Sequence, residues 1–105
     1  EIRRERKYDG IILDPPAFGR GPTGEIWKFD EHLPGLLADC SKLLKKNGFI
    51  LVNAYSLGYP ALAVENLVRS QFPMVKKLES VELTLKESGK RGFLLPAGVA
   101  VRGSW

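Results

Sequence analysis

A carboxylate followed at once by two prolines and then an aromatic ring is an unusual way to end an apolar run. Residues 11–27 read IILDPPAFGRGPTGEIW, placing Asp14, Pro15, Pro16 and Phe18 in one short stretch. A carboxylate in such a place can accept hydrogen bonds from an amine, orient a base or hold a metal. The prolines fix the backbone and carry no N–H, so the carbonyls around them become acceptors in a rigid arc. Acceptors in an arc beside an aromatic ring suit a flat group bearing an N–H or NH₂. Nucleobases are such groups, and stacking on an aromatic side chain stabilises them by roughly 1–3 kcal/mol per base.

Other residues add to this set. Arg20, Lys28 and the basic stretch EIRRERK at residues 1–7 offer cations for phosphates, with Trp27 as a neighbouring ring. The plainer reading is a solvated charge run, and a loop folded over the core with Trp27 buried as its anchor. Asn53 can read a base edge or brace Asp14, or simply tie down a strand end, and Tyr55 can stack or donate. His32, the single histidine, has no second histidine or paired cysteine near it, so no metal site follows from it. Cys40, the single cysteine, excludes an internal disulfide and a cysteine-based zinc site.

The elements that must position these groups follow from periodicity. YDGIILD is a short apolar run, expected as a strand buried on both faces and ended by the prolines. Residues 17–29 read as a glycine- and proline-broken loop. From Asp30, as N-cap, the positions Leu33, Leu36, Leu37, Cys40, Leu43 and Leu44 form one helical stripe, with Pro34 in the first turn. Lys45 and Lys46 suit the C-terminal dipole, and Asn47-Gly48 ends the helix.

GFILVNAYS is a second buried strand and PALAVENLVRSQF a second helix, stopped by Pro73. SVELTLK alternates Val81, Leu83 and Leu85, facing inward, with Glu82, Thr84 and Lys86 on a wet face. ESGKRG turns the chain into a last strand, FLLPAGVAVRG, with Pro96 and Gly98 as bulge or edge positions.

Strand, helix, strand, helix and two closing strands make an α/β layered fold with parallel first strands and an antiparallel final hairpin. In such sheets ligands sit outside the carboxyl ends of the strands. Asp14-Pro15-Pro16 and Asn53-Ala54-Tyr55-Ser56 are therefore expected at one rim. The first strand has no partner on its other side, so this apolar edge calls for cover, from protein preceding Glu1 or from a second copy.

The stretch YDGIILDPPAFGRGPTGEIWKFDEHLP resembles motif IV and its following loop in class I S-adenosylmethionine (SAM)-dependent methyltransferases, particularly those similar to bacterial ribosomal RNA large-subunit methyltransferases. Asp14, Pro15, Pro16 and Phe18 carry the resemblance, extended by residues 19–22 and 25–28. The order of later elements is similar to the carboxyl-terminal half of that domain, covering residues 1–105. The resemblance implies a partial Rossmann-like sheet, mostly parallel with a reversed last strand, with helices packed on the faces.

It also implies SAM as cofactor and methyl transfer to a base of an RNA, ribosomal RNA in the branch that the stretch resembles. Asp14, Pro15, Pro16 and Phe18 would be catalytic, with Asp14, Pro15 and Asn53 contacting cofactor and Arg20, Trp27, Lys28 and Tyr55 contacting substrate. The glycine-rich cofactor loop of the family does not appear, so the chain is expected to be half of a catalytic domain and inactive alone. Asp-Pro-Pro-Ala-Phe also departs from the Asp-Pro-Pro-Tyr of amino-methylating members, which leaves the acceptor atom open.

Composition bounds the alternatives. The chain has 105 residues, 44% hydrophobic and 27% charged with a net charge of +4, an ordinary globular balance. No apolar run approaches a membrane span, no secretory signal is visible, and one cysteine suits a reducing, cytoplasmic setting. A non-catalytic RNA-binding or assembly module on the same fold is the second reading. An ATPase piece is the third, weakened by the absence of a G-x-x-x-x-G-K-[ST] loop.

Overall fold

The structure is a computed structural model that describes residues 1–55 and 58–105; Ser56 of the expected rim lies outside the described residues. After a 3-10 turn at Ile2–Arg4 come β1 (Tyr8–Leu13), β2 (Phe18–Arg20) and β3 (Ile26–Lys28). They are followed by α1 (Phe29–Leu43), β4 (Leu44–Ala54), α2 (Ala61–Gln71), β5 (Lys77–Lys86) and β6 (Leu94–Ser104). Four strands form one sheet in the order β1-β4-β6-β5. β1 runs parallel to β4, and β6 is antiparallel to both of its neighbours. Three strands thus point one way and only β6 is reversed.

The side-chain period of two sorts this sheet into two unlike faces. Ile50 and Val52 of β4, paired with Ile11, Leu13 and Val101, turn toward the helices. There they join Leu33, Leu37, Cys40, Val64, Val68 and Phe72 in one core cluster. Burying each large apolar side chain in that cluster contributes about 1.5–3 kcal/mol. Both helices sit on this face, rather than one on each, and the molecule is only 20 Å across its thinnest dimension.

The other face carries Ile12, Phe49, Leu51 and Val81, and no described element packs over it. That explains two departures from expectation. β1 is not buried on both faces, since Ile12 is 65% exposed. The Val81, Leu83, Leu85 set of β5 does not point into the core, because α2 covers the opposite side, where Leu78 packs and Ser80 hydrogen-bonds Glu65. Val81 is 56% and Leu85 63% exposed. As expected, β1 is an edge strand with one open side.

Local chemistry shifts several boundaries. Helix α1 begins at Phe29, not after an Asp30 cap, and no side-chain oxygen caps it. Instead the Lys28 N–H donates to His32 Nδ1 at 2.9 Å, and Asp30 accepts only from the Glu31 N–H. Pro34 consequently lies inside the helix, where its missing N–H leaves one carbonyl unpaired.

The helix stops at Leu43, so Lys45, Lys46 and Asn47-Gly48 belong to β4. There the pairing jumps from Tyr8–Leu44 to Gly10–Phe49, and Lys45 forms an ion pair with Asp9 at 2.9 Å. The hairpin β5–β6 breaks register beside Leu83, with Gly98 at φ +112°, the bulge anticipated around Pro96 and Gly98.

Candidate active site

The parallel pairing of β1 and β4 delivers the two expected polar clusters to one rim. Leu13 is paired with Val52, so Asp14 and Asn53 each follow directly at the carboxyl end of adjacent strands. Asp14 is exposed and Asn53 half-buried, and neither side chain has a hydrogen bond or ion pair among the described residues. Tyr55 follows β4 and is half exposed. The arrangement offers an unengaged carboxylate and a carboxamide, side by side, at the position where open α/β sheets hold ligands.

The segment after Pro16 is not a loop. β2 and β3 form an antiparallel ribbon, with Phe18 opposite Lys28, Gly19 opposite Trp27 and Arg20 opposite Ile26. Its turn is built by Gly21 N–H donating to the Glu25 carbonyl at 2.8 Å and by Glu25 accepting from the Thr23 hydroxyl and amide. Those bonds, the Thr23 hydroxyl first, hold the Glu25 carboxyl below its ordinary value.

Strand alternation divides the substrate candidates between the two faces of this ribbon. Phe18, Arg20, Ile26 and Lys28 share one exposed face, where the Arg20 guanidinium stands 6.0 Å from the centre of the Phe18 ring. Lys28 is paired with Glu31 at 3.2 Å, which leaves Arg20 as the freer cation.

Trp27 lies on the opposite face. Its indole N–H donates to the Pro16 carbonyl at 2.8 Å, and its ring stacks on His32 at 5.6 Å. The Ala17 carbonyl accepts from the Phe29 N–H at 3.1 Å. Of the carbonyls expected to form a free arc, Pro16's is thus taken by Trp27. Among the described residues, those of Asp14 and Pro15 have no such partner.

One further reactive side chain settles into a structural place. Cys40 is buried on α1, and burial, helped by Asp39, raises its thiol above the ordinary value. It is not a nucleophile at the rim. Among the described residues no cluster of His, Cys, Asp or Glu could hold a metal, and no helix is long and apolar enough to cross a membrane.

Sequence reasoning did not single out Tyr59 or Glu82. With Tyr55, Pro96, Gly98 and Val99 they line a cavity of about 300 Å³ at the same end of the sheet. The signal for Glu82 was the expectation that its face of β5 is wet; nothing in the period of two shows that this face closes against Tyr55.

No protein-family model matches the chain, and no curated protein matches its sequence. Solved structures do. The SAM-dependent methyltransferase from Agrobacterium tumefaciens superposes with a TM-score of 0.88 and 31% identity, over 98% of this chain and 35% of that one. SMU.776 complexed with SAH gives a TM-score of 0.60 at 20% identity, over 96% of this chain and 27% of that one. The M1.HpyAVI–SAM complex gives 0.55 at 17%, over 97% of this chain and 46% of that one. The chain spans little more than a third of the first of these and under half of the others. Its strand order and its single reversed strand are those of the Rossmann-like fold of SAM-dependent methyltransferases.

Proposed function

We propose that this chain is the carboxyl-terminal half of a SAM-dependent methyltransferase catalytic domain, similar to the ribosomal RNA large-subunit enzymes, and that the complete protein methylates a base of ribosomal RNA in the cytoplasm. The observation that carries the reading is the likeness to the Agrobacterium methyltransferase, at 31% identity across 98% of this chain. The rim supports it: among the described residues Asp14 and Asn53 have no partner at adjacent strand ends, where acceptors suit the ammonium and amino groups of SAM. SAM itself, when bound, supplies an electrophilic methyl on a sulfonium sulfur.

The residues of this chain would act by positioning, the main source of rate in such a transfer. Asp14 would accept from the cofactor or from the target amine, and for a nitrogen acceptor it is placed to take the proton that leaves. Pro15 would present its carbonyl to the same groups, and Asn53 would brace the cofactor side. Pro16, held by Trp27, would fix the Asp-Pro-Pro turn against the β2–β3 ribbon. Phe18 would stack on the base. Arg20 and Lys28 would meet phosphates, with Tyr55 as a further substrate contact. Trp27, proposed among the substrate contacts, would act chiefly by holding Pro16. The glycine-rich cofactor loop would come from a segment covering the bare sheet face and the open side of β1. Without it the 105 residues alone would be inactive.

The test is calorimetric titration of SAH into this chain and into a version extended upstream. Binding by the extended form alone is the expected result. Binding by neither would favour the second reading, an RNA-binding or assembly module on the same fold, for which the ribbon face of Phe18, Arg20 and Lys28 is the specific observation. That reading requires RNA affinity that falls with salt and no affinity for SAH.

A further inference from the structure

The cavity beside Tyr55 is built rather than incidental. Tyr55 is held from behind, because a Cβ on Gly98 would lie 2.4 Å from the Tyr55 Cα. Tyr59 is steadied by Phe29, whose ring centre is 5.6 Å away at a 30° tilt. Pro96 and Val99 add apolar walls, and the volume of about 300 Å³ is at the small end of small-ligand pockets. Glu82 enters from β5, level with Val99, which is itself level with Ala54. Among the described residues its carboxylate has no hydrogen bond or ion pair.

Two rings, two apolar walls and one unengaged carboxylate select a particular ligand. The rings and walls take a flat heterocycle, and Tyr59 and Tyr55 each add one hydroxyl. A carboxylate accepts through two parallel oxygens, the geometry that pairs it with the two parallel N–H groups of a guanidinium. Among nucleobases only guanine offers such an edge, with its ring N–H beside its exocyclic NH₂. Adenine and cytosine put an acceptor next to the amine, and uracil has one N–H between two carbonyls.

Position decides which guanine this is. Asp14 ends β1 while Glu82 lies on β5, three strands away in the order β1-β4-β6-β5. At about 4.8 Å per strand the two columns are about 14 Å apart, more than one base can span. We infer that the Tyr55–Tyr59–Glu82 cavity binds a guanine that flanks the target nucleotide, and so sets the sequence context of the reaction. This rests on the reading of the chain as part of a nucleic-acid methyltransferase, though the cavity lies wholly within these 105 residues.

The cavity is tested with free nucleotides and without cofactor. The ¹⁵N-labelled chain is titrated with GMP, IMP, AMP, CMP and UMP, following the amides of Tyr55, Tyr59, Glu82 and Gly98. The phosphate is common to all five, so its contribution cancels in the comparison. GMP is expected to shift these amides and to bind about tenfold more tightly than IMP, which lacks the exocyclic amine. Glu82→Gln, at an exposed position, should abolish the preference for GMP while leaving the spectrum of the fold unchanged. Equal response to all nucleotides, no response up to about 10 mM, or a preference retained by Glu82→Gln would each overturn the inference. Failure of SAH to bind the extended protein would sink the methyltransferase reading and leave the guanine result standing, and the reverse also holds.

Discussion

The indole N–H of Trp27 donates to the carbonyl of Pro16 at 2.8 Å, joining the middle of β3 to the end of the Asp-Pro-Pro turn. One bond thereby decides two functional questions. It removes one acceptor from the arc after Asp14, and it turns Trp27 from an open stacking ring into the strut that sets where Phe18 points.

Replacing Trp27 by phenylalanine keeps a ring against His32 and deletes that bond. The expected loss is about 1 kcal/mol, a fall in melting temperature of about 4–8 °C. Thermal unfolding followed by circular dichroism checks it. An unchanged midpoint would mean that the strut contributes nothing to holding the ribbon.

Asp14 should show the opposite profile. It is exposed and unpartnered among the described residues, so Asp14→Ala should alter stability by no more than about 0.5 kcal/mol. In the upstream-extended protein the same change should lower the methyl-transfer rate about 100-fold or more. Turnover within a few-fold of normal would remove Asp14 from the proposed site.

Gly98 and Gly24 separate steric from conformational cost. Both have positive φ, +112° and +90°. A Cβ on Gly98 would meet the Tyr55 Cα at 2.4 Å and the Ala54 oxygen at 2.7 Å, all backbone, whereas one on Gly24 meets nothing within 4 Å. Gly24→Ala should cost about 1–2 kcal/mol and Gly98→Ala distinctly more, by urea unfolding. Equal costs would show that the contact behind Tyr55 is not tight.

Cys40 gives a pH dependence with a definite sign. Burial raises its folded pKa above the ordinary 9.0, so the folded state holds the proton longer than the unfolded state does. Its contribution is present in full below that ordinary value and is lost as pH rises through the folded value. The urea midpoint of the wild type should fall more steeply above pH 9.0 than that of Cys40→Ala. Parallel curves would show that the thiol is not desolvated.

The bare sheet face yields a differential prediction. Ile12→Lys with Val81→Lys should leave this chain's stability within about 0.5 kcal/mol, because both sites are open to water. In the upstream-extended protein the pair should cost about 3 kcal/mol or more, since unpaired charges would then be buried. The same small effect in both backgrounds would mean that nothing covers this face.

The fold was legible in the sequence to the extent that it obeys local rules. The helical stripe from Leu33 to Cys40, the Asp-Pro-Pro stop and the parallel placement of Asp14 beside Asn53 all follow from period and breakers, whereas Leu44, which continues the stripe in the sequence, opens β4 instead. What was not legible depended on partners distant in sequence. Nothing local says that both helices share one face, so period alone places Ile12, Val81 and Leu85 in a core they do not reach. The ribbon β2–β3 has three residues per strand, too few for alternation to register against its glycines. The pocket residue Glu82 reads as an ordinary wet-face acid until β6 and Tyr55 are brought beside it.

The irregularity in the β5–β6 hairpin is in effect a change of parity. Leu83 pairs with Gly98, but Thr84 pairs with Pro96, so Ala97 is one residue too many in β6. A strand writes its two faces in odd and even positions, and a single extra letter swaps them from there on. Because of Ala97, Leu95 stands across from Leu85, on the side that the helices leave bare, while Val99 and Val101 remain on the helix side. Loss or gain of one residue between 95 and 98 would therefore invert the outer hairpin as a block, carrying Pro96 out of the Tyr55 cavity while leaving every strand intact.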